Sequence, residues 1–161
     1  MRNRIALAAL LGAAAIHPVH ADNIQRRPMA DFPIASSVTV SAGSKLVFLS
    51  GTVADVADAK AAPGTIDRLG DTATQAESVL GKLARELEAL GLSMADVVKM
   101  NVYLVGDPRK DGMMDFEGLM KAYLRHFGTE AQKNLPARTT VQVVGLPLPG
   151  ALVEIELIAA R

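Results

Sequence analysis

The stretch Leu135-Pro136-Ala137-Arg138-Thr139-Thr140-Val141-Gln142-Val143, with Val153-Glu154-Ile155-Glu156-Leu157-Ile158-Ala159 beyond a Pro/Gly-rich turn, decides how this chain is read. Both runs have the composition of strands, and strand residues alternate between faces. Arg138, Thr140 and Gln142 therefore share one side, and Glu154 and Glu156 share a side opposite Val153, Ile155 and Leu157. If the two runs pair as an antiparallel hairpin across residues 147–150, the arginine and the carboxylates meet on one face. Charged groups in the middle of strong strands are uncommon unless they are paired or used.

Working outward, residues 97–105 form a further strand with Val98, Met100, Val102 and Leu104 on one face and Lys99, Asn101 and Tyr103 on the other. An amphipathic helix precedes it. Asp71 or Thr72 caps it, Ala76, Val79, Leu80, Leu83, Leu87 and Leu90 line one side, and Gly91 stops it. A second helix starts at Asp115, carries Phe116, Leu119, Met120, Tyr123 and Phe127 on one side, and ends at Gly128. Upstream, residues 37–41 and 45–51 read as two strands joined in a hairpin by Ala42-Gly43-Ser44, and residues 54–70 read as a mobile surface loop. The order strand, strand, helix, strand, helix, strand, strand, with both helices one-sided, gives a two-layer α+β fold. The sheet face without helices is expected to be covered by closed, symmetric association.

The N-terminus has a different character. Arg2 and Arg4 precede an apolar run over residues 5–16, and Val19-His20-Ala21 supplies a small-residue end. This describes a secretory signal peptide over residues 1–21, cleaved after Ala21, on a periplasmic or secreted protein. The run falls short of the ~20 apolar residues a membrane span needs, so no stable membrane association is expected after cleavage. Residues 22–32 are expected to be an extended lead-in and residues 33–161 the domain.

Removing residues 1–21 leaves 15 basic against 17 acidic side chains, a net charge of −2. Such a chain is not built to hold a polyanion, so no nucleic-acid partner is expected. With no cysteine there is no disulfide, no thiolate chemistry and no Cys-based metal site. His126 is the histidine left after cleavage, and no His/acid spacing suits a metal ion.

Arg138 carries a rigid fork suited to a carboxylate. Glu154 and Glu156, two residues apart on a strand, stand roughly 7 Å from each other. One arginine neutralises part of that charge, which leaves one acid suited to proton transfer. The same residues fit a structural ion pair at a subunit contact, and spacing does not choose between the two.

The segment Leu135-Pro136-Ala137-Arg138-Thr139-Thr140-Val141 resembles the "(F/L)PARS(C/T)V" run of the RidA/YjgF family of enamine/imine deaminases, and residues 153–159 resemble its closing "IEIEAIA" strand. Leu49-Ser50-Gly51, Gly70-Asp71 with Gln75, residues 96–104 and Asp115-Phe116 with Tyr123 and Phe127 are similar as well, so the resemblance spans residues 33–161. It implies a chorismate-mutase-like fold, a homotrimer with small-molecule clefts between subunits, and neither metal nor organic cofactor. It also implies roles. Arg138 grips a substrate carboxylate, Glu154 positions or activates the attacking water, and Ser50, Gly51 and Thr140 line the pocket. The implied reaction is hydrolysis of a 2-imino acid to a 2-keto acid and ammonia.

Three positions depart from the family pattern. Phe32-Pro33-Ile34 stands where a "GPY" run places a tyrosine, Met120 stands where an asparagine follows the helix phenylalanine, and Thr140 replaces a cysteine. The loss of two polar contacts points to a more apolar ligand, a changed reaction, or a protein that binds without turnover, including a holdase-like one. RNA cleavage, claimed for members of the family, finds no support in the charge or the histidine content.

Overall fold

The computed structural model describes residues 23–161, so the signal peptide expected at residues 1–21 lies outside the described residues. The chain runs β1 (Ile24–Met29), β2 (Phe32–Val40), β3 (Leu46–Val53), α1 (Ile66–Leu69), α2 (Thr72–Ala89), β4 (Val97–Val105), α3 (Phe116–His126), β5 (Ala137–Val143) and β6 (Val153–Ala160). Among the described residues no helix is long and apolar enough to cross a membrane.

The two long helices form where periodicity and caps place them. The Asp71 carboxylate accepts from the Thr74 N–H at 2.8 Å, and the turn above buries Ala76, Val79, Leu80, Leu83 and Leu87. Asp115 does the same for α3, accepting from the Gly118 N–H at 3.0 Å, and Leu119, Ala122 and Tyr123 are buried beyond it. Each such cap stabilises by ~1 kcal/mol, and each large apolar side chain taken out of water by ~1.5–3 kcal/mol, so packing outweighs capping. Both helices cover one face of the sheet. Their apolar stripes meet Met100, Val102 and Leu104 of β4 and Val153, Ile155 and Leu157 of β6 in one core.

Sheet order is β1-β2-β5-β4-β6-β3. β4 pairs parallel with β5, and α3 makes the crossover that a parallel pair requires. β6 is antiparallel to both β4 and β3. Two expectations fail here. β5 and β6 do not form a hairpin, because β4 lies between them and hydrogen-bonds to both. The strand that alternates best, with four core side chains to offer, takes the central place. Nor do β2 and β3 pair. β3 lies against β6, Phe48 opposite Ile158 and Leu49 opposite Leu157, while β2 pairs with β1 and touches β5 through Ala35 and Ala137.

The expected lead-in is itself β1, antiparallel to β2 from Ile24 opposite Val40 to Met29 opposite Phe32. Arg26 fastens this hairpin to the rest of the molecule by donating to the carbonyls of Ala95 at 2.9 Å and Val97 at 3.0 Å. The stretch read as a loose loop over residues 54–70 contains α1. Its Arg68 donates to the carbonyls of Ala59 at 3.0 Å and Ala61 at 2.8 Å. Gln75, fully buried, donates to the carbonyls of Gly70 and Gly150 and accepts from the Leu152 N–H, which fixes the approach to β6.

Candidate active site

The face of each strand follows from its neighbour in the ladder. Arg138 stands level with Met100 and Thr140 with Val102, both core residues, so the Arg138 and Thr140 side chains lie on the helix side of the sheet. Glu154 stands level with Tyr103 and Glu156 with Asn101, on the open side. The hairpin reading had put all of them on the open face. Alternation within each strand is as the sequence has it, but the inserted β4 sets the two phases against each other.

Arg138 is held by aromatic faces. Its guanidinium carbon is 4.4 Å from the centre of the Tyr123 ring, 5.4 Å from Phe32 and 5.6 Å from Phe116. Nη1 points to the Met120 sulfur at 3.3 Å, a weak acceptor. Each ring contact is worth ~0.5–2 kcal/mol. They orient the plane of the fork without neutralising its charge, and among the described residues Arg138 makes no ion pair. Burial holds the guanidinium below its ordinary pKa, opposed by Tyr123. The same burial pushes the Tyr123 phenol up to about 12 against the pull of the Arg138 charge. The Tyr123 hydroxyl donates to the Pro33 carbonyl at 2.8 Å, so one side chain sets both the arginine and the start of β2. Two residues along, the Thr140 hydroxyl is buried with no hydrogen-bond partner among the described residues.

The two glutamates differ. Glu156 accepts from Asn101 Nδ2 at 2.6 Å and from the Tyr103 hydroxyl at 3.1 Å, which raises the Tyr103 pKa. Glu154 has no side-chain hydrogen bond of this kind among the described residues, and its carboxylate lies over the backbone of Gly51. A Cβ at position 51 would stand 2.9 Å from the Glu154 Cδ and closer still to Oε1, so only glycine leaves room. Ser50 and Gly51 sit where the β3 register shifts between Leu49 and Thr52, a bulge that places two residues against one of β6. Ser50 opens onto a cavity of about 580 Å³ shared with Phe48, Thr52, Lys82 and Arg85, and onto a smaller hollow of about 220 Å³ beside Lys99, Asn101 and Glu156. Bulges recur beside functional sites because they re-aim backbone and side chains.

The described residues thus hold two candidate half-sites on opposite faces: a guanidinium with no ion pair among them beside a hydroxyl with no hydrogen-bond partner among them, and a carboxylate with no ion pair among them over a bulged strand. Phe116, Met120 and Tyr123 belong to the first half-site, although their spacing alone reads as a core stripe. Asn101 and Tyr103, the partners of Glu156, are legible in sequence as polar alternation on β4. Among the described residues no group of three or more His, Asp or Glu side chains is placed to hold a metal ion.

Residues 27–161 match the Endoribonuclease L-PSP family over most of the chain. The chain belongs to that family. It is the RidA/YjgF family of the sequence resemblance. A RutC family protein of Pyrococcus horikoshii is 41% identical over 92 residues, a stretch that is 57% of this chain and 64% of that protein. The 2-iminobutanoate/2-iminopropanoate deaminase of Escherichia coli (strain K12) is 36% identical over 99 residues, 62% of this chain and 71% of that one. The structure of E. coli TdcF with bound serine is 32% identical with a TM-score of 0.56, covering 84% of this chain and 94% of TdcF. The mixed six-stranded sheet with its helices is the fold of these RidA/YjgF relatives.

Proposed function

We propose that this RidA/YjgF member is a Rid-type hydrolase that binds a small carboxylate-bearing 2-imino or enamine acid and deaminates it to a 2-keto acid and ammonia. The site is a cleft between copies of a homotrimer. Arg138 and Thr140 of one copy face Glu154, Ser50 and Gly51 of the next. The observation that supports this reading is the pair of half-sites, each without an ion-pair partner among the described residues and each carrying the charge the other lacks.

The chemistry asks for little. Arg138 pairs with the substrate carboxylate through its fork and fixes the position of C2. Glu154 accepts a proton from water as the water oxygen bonds to the imine carbon, and passes that proton to the imine nitrogen to give the neutral carbinolamine. In the second step Glu154 takes the carbinolamine hydroxyl proton and delivers it to the nitrogen as the C–N bond breaks, which releases ammonia and leaves the 2-keto acid with Glu154 again ionised. No oxidant or cofactor enters the balance.

The test couples the purified protein to an amino-acid oxidase that generates imino acids, and follows the semicarbazone formed by trapping. Wild type is expected to suppress the semicarbazone and Arg138→Ala to lose that suppression. Identical trapping by both overturns the reading.

A second reading is favoured by the thioether at Arg138 Nη1, where a polar side chain would help orient a reacting ligand. In it the protein keeps the carboxylate anchor but has no turnover. Ligand-dependent thermal shifts that vanish in Arg138→Ala but survive in Glu154→Gln, without any deamination, distinguish it. On either reading we propose export, with residues 1–21 as the removed signal. The mass of the protein recovered from a periplasmic or culture fraction checks this, and a chain beginning at Met1 there overturns it.

A further inference from the structure

We infer that the ligand of the Arg138 half-site carries an apolar side chain, aromatic or branched aliphatic, and that Phe32, Phe116 and Met120 select it. The inference rests on the carboxylate-binding reading above and names the substrate class within it.

The geometry of the guanidinium carries the inference. Tyr123, Phe32 and Phe116 all lie within 5.6 Å of the guanidinium carbon, so an incoming carboxylate meets the fork on its edge, in the plane of its N–H groups. The remainder of the ligand then runs along the flank of the clamp. Phe32, Phe116 and Met120 form that flank, and all three are half-buried, leaving apolar surface open beside the charge. Phe32 and Phe116 are stacked on each other, centroids 6.2 Å apart, which makes one continuous wall. Among the described residues the side chains packed on Arg138 are three aromatic rings and a thioether, and the one hydroxyl among them, that of Tyr123, already donates to the Pro33 carbonyl, so a second carboxylate on the ligand would find no donor there.

Each methylene buried on such a wall multiplies affinity about fourfold, whereas an unmatched polar group loses affinity. The clamp therefore discriminates against the smallest and the polar 2-imino acids.

Isothermal titration of the full protein with three stable 2-keto acids tests this: pyruvate, 4-methyl-2-oxopentanoate and phenylpyruvate. The two apolar acids are expected to bind at least tenfold more tightly than pyruvate. That preference is expected to shrink several-fold in Met120→Asn and in Phe32→Ser, with Met120→Gln as the replacement should Met120→Asn fail to fold. Pyruvate binding as tightly as the larger acids overturns the inference and leaves the carboxylate reading standing. A preference that survives both flank substitutions overturns the assignment to Phe32 and Met120. Binding unchanged in Arg138→Ala, or no binding of any of the three acids, overturns the carboxylate reading and this inference with it.

Discussion

Arg138 and Glu154 project from opposite faces of one sheet, because their ladder partners on β4, Met100 and Tyr103, are three positions apart. An odd separation on a strand reverses the face. A site using both residues of one chain cannot close, whereas a site using one from each of two copies can.

Mixing tests this directly. Arg138→Ala and Glu154→Gln are each expected to lack imine hydrolysis. If the proposed homotrimer forms, unfolding and refolding them together gives mixed trimers in which about a quarter of the clefts pair an intact arginine with an intact glutamate. Activity on that scale is expected from the mixture and none from either variant alone. A mixture as inactive as its components rules out the shared site.

Arg138 is a half-buried cation with no counterion among the described residues, so it is kept at a cost to stability. Arg138→Met leaves the aromatic clamp filled with an apolar chain of similar length. The variant is expected to gain about 1 kcal/mol and unfold a few degrees higher, and to show none of the thermal shift that the proposed binding predicts for wild type with 2-keto acids. Calorimetric scans with and without ligand check both parts, and a lower midpoint would show that the cation–ring contacts outweigh desolvation.

Gly51 gives way to the Glu154 carboxylate. Gly51→Ala is expected to destabilise by about 1–3 kcal/mol through overpacking. In Glu154→Ala the obstruction is gone, so adding Gly51→Ala there is expected to cost little. Urea unfolding of the four proteins measures the coupling, and additive losses would place the clash elsewhere.

Tyr123 provides the pH dependence. Its folded pKa, about 12, lies above the unfolded value, so its contribution is fully present below ~pH 10 and is lost as pH rises through 12. The unfolded state has released the proton in that window and the folded state has not, so stability falls by roughly 3 kcal/mol across it. Tyr123→Phe keeps the ring under Arg138 and abolishes this part of the slope. It also loses the hydrogen bond to the Pro33 carbonyl, which costs about 1–2 kcal/mol at neutral pH. Equal slopes for the two proteins would contradict the assignment.

Local signals in the sequence survive in the structure because local chemistry writes them. Asp71 and Asp115 cap the helices they precede, and the alternation from Val98 to Leu104 is the alternation of β4. What the sequence hides is pairing at a distance. Nothing in residues 137–160 says that β4 will enter between β5 and β6, yet that insertion puts Arg138 under the helices instead of beside Glu154. β1 is hidden for another reason. Arg26, Arg27 and Pro28 interrupt its apolar rhythm, and Arg26 is spent on the carbonyls of Ala95 and Val97. The clamp on Arg138 reads as core for the same reason that it works, since Phe116, Met120 and Tyr123 follow helical spacing whether they meet a leucine or a guanidinium.

The bulge at Ser50 and Gly51 also bears on the open edge of the sheet. β3 is the outermost strand on its side of the sheet, and Phe48 on it is 71% exposed. A straight strand of that kind is a template on which further chains add without limit. The two bulged residues break its run of backbone donors and acceptors, so a flat strand cannot zip along its length. Only a surface contoured to the break is admitted, which favours assemblies that close over fibres that grow.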